Sequence, residues 1–218
     1  MLERFRGVQA VVMKPLARAL LRAGIGPDAV TWFGTVSVAV VALVCFPLGW
    51  LWQGAVLVAV FSCTDMIDGH MAREVGRPSR WGSFLDSTLD RFSDAALFGG
   101  IAVYLLLSHA WWGWLAAALL GLVTAQATSY VKARAEAVDC HADAGPLTRA
   151  DRVALLVLGT LLAGLGVPHA LEVMLVALAV GGLLTVVRRM REVRRQLVGP
   201  GEPRRIGRGW RQRSRARL

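Results

Sequence analysis

The chain has 218 residues, 55% of them apolar and 18% charged, with a mean hydropathy of +0.49 and a formal net charge of +10. A soluble domain carries about 25% charge and about 45–50% apolar residues, so this composition argues against an ordinary water-soluble globule. Three cysteines, at 45, 63 and 140, form no C-x-x-C pair and argue against a disulfide scaffold or a zinc framework.

Residues 1–24 place Leu2, Phe5, Val8, Val12, Leu16 and Leu20 near helical spacing, with Arg4, Arg18 and Arg22 elsewhere on the wheel. This predicts an amphipathic helix lying in the membrane interface. A cleavable signal is disfavoured because Arg and Lys recur throughout.

Three long stretches follow. Ala29–Thr64 spans 36 residues and Ala95–Val131 spans 37 without a formal charge; Val153–Val187 spans 35 with only Glu172. A membrane-spanning helix needs about 17–25 apolar residues, so each stretch is about two spans long. Each also carries a turn signal near its middle: Phe46-Pro-Leu-Gly49, Ser108-His109, and Gly164-Leu-Gly-Val-Pro168. The chain therefore reads as an all-α integral membrane protein with six transmembrane helices plus the N-terminal amphipathic interfacial helix. The spans are predicted near 28–50, 52–74, 83–107, 111–137, 150–165 and 169–195.

Arg77, Arg80, Lys132, Arg134, Arg149 and Arg152 lie at the even-numbered loops, while the first, third and fifth loops carry no Lys or Arg. By the positive-inside rule this predicts a multi-pass cell-membrane protein with both termini cytoplasmic. Trp50, Trp52, Trp111, Trp112 and Trp114 read as an outer aromatic belt, and Cys45 and Cys63 as small apolar residues within spans. Residues 25–198 form the expected transmembrane domain, and 199–218 a basic tail. Gly199, Pro200, Gly201 and Pro203 open that tail, whose composition predicts disorder. Residues 188–218 hold twelve Arg against Glu192 and Glu202, and so supply the whole net charge. Attraction to anionic membrane lipid, with no nucleic acid involved, is the expected role of those charges.

The chemistry is concentrated between the second and third spans. Asp65 and Asp68 are three residues apart on one helix, and Asp86 and Asp90 four apart on the next. A linker over 75–82 with Gly76, Pro78 and Gly82 lets the two helices run antiparallel, so four carboxylates converge near the cytoplasmic boundary. Uncompensated, they would repel one another and lose hydration, so they call for cations. Oxygen ligands without His or Cys favour Mg²⁺, with Mn²⁺ the alternative. Four carboxylates suit two ions about 3.5–4 Å apart, a geometry used for displacement at phosphorus. Gly69 and Ala72 leave room against the helix, and Arg73 can meet a phosphate. Asp94 extends the Asp86/Asp90 face and is expected to pair with a neighbouring Arg, while His70 and His141 carry no expected chemistry.

The pattern D-x2-D-G-x2-A-R-x8-G-x3-D-x3-D is complete over Asp65–Asp90 and is similar to the signature of the CDP-alcohol phosphotransferase family. That resemblance implies a six-helix, dimeric membrane enzyme moving a phosphatidyl group from a CDP-linked lipid to an alcohol with release of CMP. It further implies Asp65, Asp68, Asp86 and Asp90 as metal ligands, with Asp90 also the base. Gly69, Ala72, Arg73 and Gly82 would line the CDP-diacylglycerol site. Pro27-Asp28-Ala-Val-Thr31 resembles a nucleotide-contacting element of the branch that uses inositol phosphate, adding Asp28 and Thr31 to that site. Ser129-Tyr-Val-Lys132-Ala-Arg-Ala-Glu136 resembles a further segment of this actinobacterial branch, and Arg149-Ala-Asp151-Arg152 its Arg-Pro-Glu-Arg. By the same resemblance Lys132, Arg152 and Arg189 would bind the acceptor phosphate. Their placement at the cytoplasmic ends of the last three helices allows one basic pocket, which an acceptor that already carries a phosphate requires. The expected reaction is transfer of phosphatidyl from CDP-diacylglycerol to 1D-myo-inositol 3-phosphate. The alternatives are transfer to glycerol 3-phosphate and, from another class, a cation-coupled transporter. Loop 139–146, acidic and containing His141, departs from the family pattern.

Overall fold

Residues 15–74 and 79–198 are described in a computed structural model of the chain. Most of the predicted interfacial helix, linker residues Gly76 and Pro78, and the tail 199–218 lie outside the described residues. Apolar segments in lipid must satisfy their own backbone hydrogen bonds, which leaves the helix as the local solution. The described residues accordingly form helices joined by turns and loops, with no strand among them. The helices are α1 (Pro27–Cys45), α2 (Leu51–Ser62), α3 (Thr64–Glu74), α4 (Arg80–Leu107), α5 (Trp112–Glu136), α6 (Arg149–Gly164) and α7 (Ala170–Val198). Residues 15–22 are also helical, and Ala17, Leu20 and Leu21 pack against Val30, Ile67 and Met71.

The boundaries follow from local chemistry. Pro27 opens α1 in the first turn, where its missing N–H costs nothing. Ser79 caps α4 by accepting the Gly82 N–H at 2.8 Å, so this helix begins before the predicted 83. At α6 a reciprocal capping box joins Thr148 and Asp151. Gly49 at φ +77° and Gly166 at φ +88° make the left-handed turns that reverse two of the hairpins. The first helix consequently ends at Cys45, not 50.

The predicted helix 52–74 is two helices. Its apolar period runs through Cys63, but the Thr64 hydroxyl donates to Phe61 O at 2.6 Å and the Cys63 N–H reaches Phe61 O and Val60 O. These local bonds compete with the regular ladder and break it there. The short α3 that results carries Asp65 and Asp68 on its own axis.

Packing runs as a closed ring: α1 on α4, α4 on α5, α5 on α7, α7 on α6, α6 on α2, and α2 back on α1, with α3 also against α1. Phe46, Leu97, Phe98, Ile101, Leu156, Leu171, Leu175 and Leu178 fill the shared core. Small residues set the closest approaches, as is usual where helices meet in lipid. A Cβ at Gly34 would collide with Thr64, and one at Gly100 with the Ala42 carbonyl. Buried Thr124, Thr128, Thr160 and Thr185 satisfy their hydroxyls on carbonyls of their own helices, so none adds an orphan donor. The outer faces remain apolar: Trp32, Phe33, Val40, Leu106, Val123 and Leu183 are all exposed. Among the described residues, four segments are long and apolar enough to cross a membrane, Pro27–Cys45, Leu51–Glu74, Trp112–Glu136 and Ala170–Val198.

The α1–α4 contact yields a direct test. Gly100→Ala is expected to lower stability by about 1–3 kcal/mol, because the new methyl meets a backbone carbonyl that cannot rotate away. Gly99→Ala is the control, since nothing lies within 4 Å of its Cβ position. Thermal unfolding in detergent should separate the two; equal melting temperatures would show that α1 and α4 part freely.

Candidate active site

The short α3 faces the start of α1 and the first turns of α4. Between them lies a cavity of about 310 Å³ lined by Asp28 and Thr31 of α1, Asp65, Asp68, Gly69, Ala72 and Arg73 of α3, and Gly82 and Asp86 of α4. All six residues expected at a CDP-diacylglycerol site thus share one cavity with three of the four carboxylates. Asp68 is buried and accepts a 2.6 Å hydrogen bond from the Thr31 hydroxyl, which ties α1 to α3 across the cavity floor. At Gly82 a Cβ would press on Ser79 Oγ at 3.0 Å and approach Asp28 Oδ1 at 3.6 Å. Glycine there keeps both the α4 cap and the Asp28 carboxylate in place. Around Gly69 only Arg73 Nη1, at 3.8 Å, is near, so that side of α3 stays open to the cavity.

Asp90, the fourth carboxylate, lies one turn beyond Asp86 and lines a second cavity of about 540 Å³. Arg149 stands between the two. Its Nη1 donates to Asp65 Oδ2 at 2.9 Å, its Nη2 meets Asp90 Oδ1 at 2.8 Å, and its Nε lies 3.7 Å from Asp94 Oδ1. One guanidinium therefore joins α3, α4 and α6. The sequence places Arg149 in the Arg149-Ala-Asp151-Arg152 segment without giving it a role, and its three-residue spacing from Arg152 puts both on one face of α6. The Thr148–Asp151 capping box sets the rotation that turns that face inward, and an Asp serves in it where the family pattern has Glu. Asp94, as expected, pairs with arginines, with Arg152 Nη2 at 3.4 Å as well as Arg149.

The donor set suits a divalent cation in its chemistry: hard carboxylate oxygens from two helices, with no His or Cys among them. Among the described residues no three acidic, His or Cys side chains are gathered closely enough to hold an ion as they stand. Arg149 pairs with both Asp65 and Asp90 and serves as their counter-cation.

The second cavity is basic. Arg91, Lys132, Arg149, Arg152 and Arg189 line it, together with Asp90, Glu136 and Asp143. The three cations expected to hold an acceptor phosphate, Lys132, Arg152 and Arg189, are thus brought together beside Asp90 from α5, α6 and α7. Arg189 donates to Thr128 O at 2.8 Å and Ala144 O at 3.3 Å, while Arg188 and Arg191 line a separate surface hollow. Buried Nε atoms of Arg91, Arg149 and Arg152 have no hydrogen-bond partner among the described residues. Orphaned guanidinium donors in a cavity wall suit an anionic guest. Lys132 meets Asp143 at 3.0 Å, and that lysine holds the Asp143 carboxyl below the usual carboxylate range. Arg91 and Asp143 are wall residues that the sequence alone does not assign.

A sequence profile of the CDP-alcohol phosphatidyltransferase family matches residues 25–193. The phosphatidylinositol phosphate synthase of Cutibacterium acnes is 50% identical over 203 residues, covering 89% of this chain and 98% of the relative. The crystal structure of the Mycobacterium tuberculosis phosphatidylinositol phosphate synthase with CDP-DAG bound superposes with a TM-score of 0.83 at 39% identity, covering 91% of this chain and 98% of that one. The same enzyme in complex with manganese and citrate gives 0.81 at 39% identity, with 90% and 92% covered.

Proposed function

The chain belongs to the CDP-alcohol phosphatidyltransferase family, and from that premise we propose that it transfers the phosphatidyl group of CDP-diacylglycerol to 1D-myo-inositol 3-phosphate, giving phosphatidylinositol phosphate and CMP. The cavity beside Asp90, walled by five cations, carries the choice of a phosphorylated acceptor, and the likeness to phosphatidylinositol phosphate synthases supports inositol phosphate over glycerol 3-phosphate. A neutral alcohol needs no such wall; an acceptor bearing a phosphate does.

In this reading Asp28, Thr31, Gly69, Ala72, Arg73 and Gly82 take the cytidine diphosphate end of the lipid, with Arg73 against phosphate. Asp65, Asp68, Asp86 and Asp90 would hold divalent cations, two Mg²⁺ ions or alternatively Mn²⁺, which neutralise charge on the diphosphate and its leaving group. Lys132, Arg152 and Arg189 hold the acceptor phosphate and present a ring hydroxyl to Asp90. Arg149 fixes Asp90 by Oδ1, while Oδ2 has among the described residues only Arg91 at 3.5 Å and is the oxygen better placed to receive a proton. Asp90 takes that proton, the hydroxyl oxygen bonds to the lipid-side phosphorus, and the bond from that phosphorus to the bridging oxygen breaks. CMP leaves with the bridging oxygen.

The membrane arrangement belongs to the same reading. Residues 25–198 form a six-span domain, in which α4 and α6 also cross. The cytoplasmic turns of α4 carry Asp86, Asp90, Arg91 and Asp94, and α6, at 16 residues, is shorter than the other four segments. The protein sits in the cell membrane as a homodimer, with both termini cytoplasmic and membrane lipid around its apolar faces.

Purified protein incubated with CDP-diacylglycerol should release CMP with inositol phosphate, in a metal-dependent way, and not with glycerol 3-phosphate or free inositol. Release with glycerol 3-phosphate alone would reassign the acceptor, and no release with any of them would favour a cation-coupled transporter.

A further inference from the structure

The loop between α5 and α6 brings an acid into the wall of the acceptor cavity. Asp143 lies in that wall with Lys132, and its Oδ1 accepts from Lys132 Nζ at 3.0 Å. The pair is open to solvent, with side-chain exposures of 70% for Asp143 and 46% for Lys132.

The backbone that carries Asp143 is tied down on both sides. His141 N donates to Gln196 Oε1 at 2.9 Å, and Gln196 Nε2 donates back to His141 O at 2.7 Å. Ala144 N donates to Glu192 Oε2 at 3.0 Å, and Ala144 O accepts from Arg189 Nε at 3.3 Å. Cys140 and Ala142 are buried against Ala135 and Val193. Adjacent loop residues therefore engage two of the cations assigned to the acceptor phosphate, Asp143 on Lys132 and Ala144 on Arg189. The other pocket cations are held from the helical frame, Arg152 by Asp94, Arg149 by Asp65 and Asp90, and Arg91 by Asp90. A phosphate entering between Lys132 and Arg189 meets the Asp143 carboxylate already paired with Lys132, in a wall that also holds Asp90 and Glu136.

We propose that Asp143 is a specificity-determining residue for the acceptor, an internal counter-anion on Lys132 that sets the threshold an incoming anion must overcome. A phosphate monoester with two negative charges overcomes it; weakly charged or neutral polyols do not. This rests on the acceptor site assigned above.

The test is steady-state kinetics of Asp143→Asn, which keeps the shape and removes the charge. KM for inositol phosphate is expected to fall about two- to fivefold, the range an exposed ion pair can supply, with kcat little changed. The inhibition constant of inorganic phosphate against the acceptor should fall by a similar factor, and both shifts should shrink at high salt. Asp139→Asn, exposed in the same loop and outside the cavity wall, should leave all three values alone. An unchanged KM overturns the proposal. A raised KM also overturns it, by showing that Asp143 binds the acceptor instead of opposing it. Absence of turnover by the unaltered protein with inositol phosphate would instead sink the acceptor assignment itself.

Discussion

Asp90→Asn is expected to lower kcat by about 10²–10⁴-fold, the span over which a positioned general base contributes. CDP-diacylglycerol binding should remain largely intact. Asn preserves the shape and can still accept from Arg149 Nη2, now 2.8 Å from Asp90 Oδ1. The nucleotide residues also line the other cavity, with Asp65, Asp68 and Asp86 left to it. Single-turnover CMP release and equilibrium binding of the lipid, measured on the same preparation, separate the two effects. Retained turnover would sink the assignment of Asp90 as the base.

The second large effect is expected at Arg149. Replacing it by Gln removes the cation shared by Asp65, Asp90 and Asp94, and leaves three acids on two helices to repel one another. Breaking a fully buried pair costs about 3–5 kcal/mol, and with Arg149 still 27% exposed we expect about 2–3 kcal/mol. Whatever part of that cost the transition state bears lowers kcat/KM, about tenfold for each 1.4 kcal/mol. An apparent melting temperature lowered by several degrees should accompany it. Arg149→Lys keeps the charge but cannot reach Asp65 and Asp90 with one planar fork, so it should fall between the two. Full activity and an unchanged melting temperature in the Gln variant would show that the three-way contact has no energetic weight.

These two residues differ in how visible they are beforehand. Asp90 belongs to a chain of eight specified positions within 26 residues, and its helical spacing from Asp86 already puts both on one face. Arg149 lies 84 residues from Asp65, and nothing local says which acid it will meet. Its rotation on α6 is nevertheless written nearby, in Thr148 and Asp151. A capping box can be recognised from such spacing, but here the same residues also read as a variant of a ligand pattern. Cys63 is the opposite case. Composition turns from apolar before it to polar after it, but the break itself comes from a hydroxyl competing with the backbone ladder.

The sequence by itself determined the class of protein, three long apolar stretches with Glu172 as their one charge, and the candidate residues of the site. Hydropathy and spacing are properties of neighbours along the chain, so they survive without a fold. Only the tertiary structure decided that the carboxylates divide between two cavities and that Arg149 joins them. It likewise decided that Asp143 stands against Lys132 in the wall of the second. Those arrangements depend on how far helices approach and rotate against one another. That is set by small contacts such as Gly100 on Ala42 and Gly34 on Thr64, whose partners lie far apart in sequence.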